Sequence, residues 1–290
     1  MEGPGIGEFE AHRRHLTGLA YRMLGSLAEA EDIVQEAYLR WHGVDRAAIE
    51  NARPFLSKVV TRLCLDHLKS ARSRHETYVG PWLPEPLLDA APLAAEAASD
   101  YAHDLSVALL LILERLSPLE RAAFLLHDVF DMAFPEIAET LGRGEAACRQ
   151  LAARARRHVH SARPRYKPSS DEGTRLAQAF RAAASSGDAA TLARLLAEDA
   201  ILYTDGGGKR VAALNPIRGS DKIVRFLTSI ARKGEASAWR VRSANINGAP
   251  GFVLAAPDGS LQTLSIDVED GRITAIYMVL NPEKLQRVAF

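Results

Sequence analysis

The sequence predicts a multidomain chain, two all-α domains followed by an α+β domain. Three observations carry that prediction. Apolar residues recur at helical spacing through residues 8–75 and again through 105–163, with a proline-rich stretch between them. All nine histidines lie within the first 160 residues, so the C-terminal part has a different make-up. From Thr174 onward a helical start gives way to short apolar runs divided by Gly and Asp-Gly turns. A length of 290 residues suits two or three domains.

Taken in order, Phe9, Leu16, Leu19 and Met23 form one helical face, and Val34, Tyr38 and Trp41 a second. A third helix opens near Pro54, with Phe55, Val59 and Leu63 at four-residue steps and a basic end at Lys69, Arg72 and Arg74. Residues 76–104 read as a linker containing "WLPEP" (82–86). The second helical domain, 105–163, contains a capping box, Ser117 with Glu120, and a proline in its first turn. "AFPEIAETLG" and "RGEAACRQLAARARRHV" then form a short helix, a turn at Gly142 and a longer basic helix, the helix-turn-helix arrangement. After a linker at 164–173, the α+β domain runs over 174–285. Its runs "SAWRVRSANING", "GFVLAAPDG", "LQTLSIDVEDG" and "RITAIYMVL" predict an antiparallel sheet.

Composition excludes several classes. The longest apolar run, "LSVALLLILERL", is roughly half the ~20 residues of a membrane span. No secretory signal is evident, which points to the cytoplasm and to no membrane partner. The two cysteines, Cys64 and Cys148, suit reduced thiols, and no zinc pattern accompanies them. No cofactor or metal is expected. "YTDGGGKR" (203–210) fails the phosphate-loop pattern, with Tyr203 where the first glycine belongs and Arg210 where a hydroxyl belongs.

The net charge is zero, yet residues 146–170 contain no acid while arginines recur. In a helix-turn-helix the second helix enters the major groove. With Gly144 at the cap and Glu145 in the first turn, Arg149, Gln150, Ala153 and Arg154 project from broadly one side. Gln can hold adenine and Arg guanine. Arg156, Arg157 and Arg163 are placed for phosphates. The alternative is a solvated amphipathic helix.

"AYRMLGSLAEAEDIVQEAYLRW" (20–41) and "FLSKVVTRLCLDHLKS" (55–70) resemble region 2 of a bacterial sigma factor. "LSPLERAAFLLHDVFDMAFPEIAETLGRGEAACRQLAARARR" (116–157) resembles region 4. With "WLPEP", "DGGGK" (205–209) and "NPEKL" (281–285), the set resembles extracytoplasmic-function sigma factors with a C-terminal SnoaL-like domain, the sigma-J type. The resemblance implies a region 2 helical bundle, a region 4 helix-turn-helix and a SnoaL/ketosteroid-isomerase-like cone. It implies binding to core RNA polymerase through Asp32, Gln35 and Arg40 on the clamp helices of the largest subunit. It also implies promoter DNA as a partner. The loop 42–52 and the helix carrying Arg62, Asp66, Lys69 and Arg72 would capture the −10 element, although many relatives carry Asn where Arg62 stands. Arg149, Gln150 and Arg154 match positions that contact the −35 element. The resemblance also leaves room for an unknown small-molecule ligand in the SnoaL-like cavity.

The DGGGK loop reads as a tight turn whose glycines take positive φ or let another backbone approach closely, Asp205 and Lys209 offering opposite charges to a neighbouring surface. The resemblance implies an interdomain, regulatory role for Trp82, Leu83, Pro84, Glu85 and Pro86, for Asp205, Gly206, Gly207, Gly208 and Lys209, and for Asn281, Pro282, Glu283, Lys284 and Leu285. Carboxylates at Asp199, Asp205 and Asp221, with Tyr203 and Tyr277, keep open an alternative, a cyclase or isomerase fused to a DNA-binding module. Asp199 is expected to end a helix and Asp221 to begin one. No catalytic residue is expected, nor an enzyme.

Overall fold

A computed structural model describes residues 6–45, 49–75, 78–88, 93, 101, 103–162, 170–232 and 238–290. The chain divides into two compact units, Met1–Glu76 with Ala91–Arg163, and Thr77–Ala90 with Pro164–Phe290. The helices of both N-terminal segments thus share one unit, while the stretch containing WLPEP belongs to the other.

In the first unit, α1 (Ile6–Leu24), α2 (Leu27–His42) and α3 (Ala52–His75) pack together. Ser26 caps α2 by accepting the Glu29 N–H at 3.3 Å. Phe9, Leu16, Leu19 and Met23 are buried as their spacing predicts, as are Val34 and Trp41. On α3 Leu63 is buried as expected, but the rest of the buried stripe is displaced by one residue. Leu56, Val60, Leu63 and Cys64 lie inside, whereas Phe55 and Val59 are half-buried, with Phe55 packed on Trp41 at 5.8 Å. Both stripes have helical period, and only the position of α1 and α2 selects between them.

Then follow α4 (Val107–Glu114), α5 (Pro118–Phe124), a π-helical turn (Leu125–Val129), α6 (Phe134–Leu141) and α7 (Glu145–Ala162). The capping box at Ser117 and Glu120 is present. Gly142 ends α6 in the left-handed conformation at φ 61°.

His15 sits between α1 and α3. Arg53 Nη2 donates to its Nδ1 at 3.2 Å, so Nε2 carries the proton toward Ser57 Oγ at 3.0 Å, and Phe130 packs edge-on. Burial first, then the charges of Arg53, His12 and Arg22, hold its pKa down at about 3. The unfolded chain binds the proton near pH 6.5, so stability is full above that and falls as pH drops toward 3. The slope is at most about 1.4 kcal/mol per pH unit. Denaturant unfolding of wild type and His15→Gln at pH 7 and pH 5 checks this. The variant is expected to lose less stability over that interval, and an equal loss refutes the assignment.

The second unit contains α8 (Ser170–Ser186), α9 (Ala189–Leu195), β1 (Leu196–Asp205), β2 (Ile217–Arg218), α10 (Ser220–Ala231), β3 (Arg240–Ile246), β4 (Ala249–Ala255), β5 (Leu261–Glu269) and β6 (Arg272–Val279), then a 3-10 turn at Pro282–Leu285. The sheet order is β2-β1-β6-β5-β4-β3. The last four strands form the expected antiparallel meander, turned at Asn247-Gly248 and Asp270-Gly271 with positive φ at both residues of each pair. The sheet as a whole is mixed, because β1 runs parallel to β6. Asp221 lies in the first turn of α10, as expected. Asp199 corrects its expectation, since α9 ends at Leu195 and Asp199 is exposed on β1.

Alternation along the strands divides the two faces. Leu202, Phe252, Leu264, Ile266 and Ile276 pack with Phe180, Ile223 and Leu227 of the helices. Tyr203, Asp205, Thr263, Ser265 and Tyr277 fall on the other face by register. Segment 78–88 joins the meander at its far edge, where Leu87 N–H donates to Asn247 Oδ1 at 3.0 Å and Asn247 N–H to the Leu87 carbonyl at 2.9 Å.

Candidate nucleic-acid interface and linker-docking site

Helix α7 is amphipathic in the manner a groove-reading helix requires. Cys148, Ala152, Ala155 and Val159 are buried, while Arg149, Gln150, Ala153, Arg154 and Arg157 are exposed. Its first turn lacks a hydroxyl cap, with Gly144 accepting the Cys148 N–H through its carbonyl at 3.1 Å. The exposed arginines are partly engaged. Arg149 pairs with Glu145 and lies 5.0 Å from the centre of the Phe134 ring. Arg154 is 3.7 Å from Glu120. Arg156 donates to Asp128 Oδ1 at 2.5 Å, tying α7 to the π-helical turn.

On α2, Asp32, Gln35 and Arg40 are exposed, opposite the buried Ile33, Val34, Ala37 and Trp41. Arg40 bonds Glu36 at 2.6 Å, one turn earlier. On α3, Asp66 and Lys69 are exposed and paired at 3.0 Å. The Arg72 side chain lies outside the described residues, as does part of loop 42–52.

Arg62 is exposed, but its guanidinium is occupied. Nε donates to the Thr140 carbonyl at 3.0 Å and Nη2 to the Glu139 carbonyl at 2.9 Å, in the last turn of α6. Lys58 pairs with Glu139 beside it. The last carbonyls of a helix lack partners within it and carry partial negative charge, so a cation there satisfies both needs. Arg121 makes the converse contact. It is buried on α5 and donates to the Met23 carbonyl near the end of α1 at 2.5 Å, while its other nitrogen holds Glu114 Oε2 at 2.9 Å. Each helical segment therefore supplies an arginine to a helix end in the other.

The WLPEP, DGGGK and NPEKL motifs meet in the second unit, around Asp205. This carboxylate is fully buried. Oδ1 accepts from Tyr78 Oη at 2.5 Å, and Oδ2 from the Leu83 N–H at 2.9 Å and Lys284 Nζ at 2.7 Å. Its backbone carbonyl accepts from the Leu280 and Asn281 N–H groups. Lys284 also donates to the Leu83 carbonyl at 2.5 Å, and its ammonium lies 4.8 Å from the Tyr78 ring centre and 4.5 Å from that of Trp82. Asn281 donates to Tyr78 Oη at 3.0 Å and caps the turn in which Pro282, Glu283 and Leu285 follow. Burial, then the hydrogen bond to Asp205, pushes the Tyr78 phenol well above its usual range, so it stays a donor. Leu83, Pro84, Glu85 and Pro86 are buried, with Glu85 3.5 Å from Arg287.

The glycine loop shapes this site. Gly207 and Gly208 have φ 58° and 72°, as the sequence predicts. A Cβ on Gly207 would overlap the Asn281 side chain, and one on Gly206 the Arg210 carbonyl. Lys209 reaches Glu283. Asp205 offers its charge to segment 78–88, through Tyr78 and the Leu83 N–H of WLPEP, and is fully buried there with Lys284 rather than exposed on a turn. Sequence reasoning missed Tyr78 and Arg121. Arg121 sits beside the capping box as an unexplained cation in an apolar run, which is a weak signal. Tyr78 gives none.

The two-segment helical unit, ending in an exposed basic helix, has the sequence of a promoter-recognition factor of the sigma-70 class. Sigma-70 region 2 matches residues 9–74 and Sigma-70 region 4 matches residues 106–159. The chain is 42% identical to "ECF RNA polymerase sigma factor SigJ" of Mycobacterium tuberculosis, covering 96% of this chain and 92% of that one. It is 32% identical to "Probable ECF RNA polymerase sigma factor SigI" of the same species over 97% of this chain and 95% of that one. The crystal structure of the M. tuberculosis SigJ protein superposes with a TM-score of 0.76 at 38% identity, covering 97% and 98% of the two chains. The chain belongs to the extracytoplasmic-function sigma factors, with a C-terminal α+β domain appended. It recognises promoters for RNA polymerase. Among the described residues no helix is long and apolar enough to cross a membrane, and no cluster of His, Cys, Asp or Glu could hold a metal.

Proposed function

We propose that this sigma factor docks on the clamp helices of the largest polymerase subunit through Asp32, Gln35 and Arg40. In this reading it recognises the −10 element with Asp66, Lys69 and Arg72, and with Arg62 once its guanidinium leaves the α6 carbonyls. The −35 element falls to Arg149, Gln150, Ala153, Arg154, Arg156 and Arg157, in the cytoplasm where both buried cysteines stay reduced. Within that set Arg149, paired with Glu145 and lying over Phe134, and Gln150 are the exposed groups on the side that meets base edges. Arg156, bonded to Asp128, serves to hold the helix in place while Arg157 meets phosphate.

The appended domain modulates this activity in cis, and one observation carries that reading. Segment 78–88 lies in sequence between regions 2 and 4, yet it is bonded to Asp205, Lys284 and Asn247 of the appended domain. The domain therefore grips the tether that joins the two promoter-reading segments. It does so without covalent chemistry. Asp205 is saturated, Asp199 and Asp221 are exposed, and burial beside Asp267 pushes Tyr277 upward, away from the near-neutral range a working acid or base needs.

The test is in vitro transcription with core polymerase and the full chain. The triple variant Asp32→Ala, Gln35→Ala, Arg40→Ala is expected to lose core binding about ten-fold or more, since three central polar contacts go together. Initiation equal to wild type sinks the docking assignment.

A further inference from the structure

The π-helical turn at Leu125–Val129 puts one extra residue into the helix before the helix-turn-helix, closing with Phe130 N–H to the Leu125 carbonyl at 3.0 Å. The next bond, Met132 N–H to the Leu126 carbonyl at 2.8 Å, ends it, with Asp131 at φ 55°. This reversal returns the chain so that His127 Nδ1 donates to the Met132 carbonyl at 3.1 Å. So oriented, the imidazole lies on the Phe134 ring with centres 4.1 Å apart and planes at 34°. Phe134 is the first residue of α6, and Arg149 of α7 lies 5.0 Å from the ring centre. Glu145, one turn earlier on α7, holds Arg149 from the side. A run of contacts across three consecutive elements, a tilted imidazole on a phenyl ring and a guanidinium over that ring, thus ends in a side chain that is 56% exposed.

An arginine that reads a base must present a planar fork, and a free side chain loses rotamer freedom when it does so. A group stacked and paired in advance loses less, and the gain applies only to the base that fits the held geometry. We infer that Phe134 is a specificity-determining positioning residue, which with His127 packed against it holds the Arg149 guanidinium in the orientation that reads one base pair of the promoter. This rests on the assignment of Arg149 to base readout.

The experiment uses the full chain bound to core polymerase and a duplex DNA library randomised upstream of a fixed −10 element, with bound sequences counted. Arg149→Ala is expected to flatten the preference at one base pair by roughly five- to a hundred-fold. Phe134→Leu, which fills the site but has no π face, should weaken the preference at that same pair by about two- to five-fold. Phe134→Tyr keeps the face and should keep the preference. If Arg149→Ala leaves every preference unchanged, the readout assignment fails and the inference with it. If Arg149→Ala flattens one pair and Phe134→Leu matches wild type, the readout stands and the positioning role is refuted. Uniform weakening by Phe134→Leu, unrepaired by Tyr, makes the ring merely structural and also overturns the inference.

Discussion

Lys284→Ala is expected to destabilise the appended domain by about 3–5 kcal/mol and to release segment 78–88. The magnitude follows from leaving a charge uncompensated in the interior. Asp205, fully buried, would keep only Tyr78 and the Leu83 N–H as protein donors to its carboxylate. The same substitution removes the bond to the Leu83 carbonyl and the cation facing Tyr78 and Trp82. Thermal unfolding reads the stability, and chymotrypsin cleavage after Tyr78 or Trp82 reads the release. In transcription with core polymerase the variant should differ from wild type, because the tether between regions 2 and 4 is no longer held. The pair Asp205→Asn with Lys284→Met removes both charges at similar volume and should recover much of the stability, since a buried ion pair is worth little against neutral isosteres. An unchanged melting profile for Lys284→Ala would show that the ion pair does not hold this site. Unchanged transcription in a variant whose segment is shown to be released would remove the regulatory reading.

Arg121→Met should cost the helical unit about 2–4 kcal/mol. The Met23 carbonyl, the Glu114 carbonyl and the Glu114 carboxylate each lose a buried charged donor, and methionine fills the volume without replacing any of these bonds. Burial already disfavours the charged guanidinium, lowering its pKa, while Glu114 opposes that shift. What offsets that cost is the contact the side chain makes across the unit, from α5 to the end of α1. Denaturant unfolding checks the magnitude. Amide hydrogen exchange checks the location, with faster exchange expected in the last turn of α1 and the first turn of α5. Wild-type exchange there, together with an unaltered midpoint, contradicts the expected role.

Both predictions concern contacts that no local pattern announces. Arg62 meets Thr140 across 78 positions, Leu83 meets Asp205 across 122, and Lys284 meets Leu83 across 201. Side chains three or four apart on a helix, or two apart on a strand, are constrained by backbone period. Partners this distant in sequence are chosen only when whole elements pack. The off-by-one stripe on α3 and the parallel pairing of β1 with β6 have the same origin. So does the burial of Asp205, which the sequence presents as one more charged turn residue.

What the sequence determined by itself is therefore local. The helices of both sigma regions, the capping box at Ser117, the helix-turn-helix with Gly142 at its turn, the positive-φ glycines of DGGGK and the strand meander all follow from neighbours a few residues apart. The same local pattern made the family legible. Tertiary structure alone decided that Arg62 and Arg121 satisfy helix ends in opposite segments, and that Phe134 lies beneath Arg149. It alone turned Asp205 inward as the anchor of the tether. A buried carboxylate and a helix end must find donors somewhere. Sequence states the need, and only the packed chain supplies the partner.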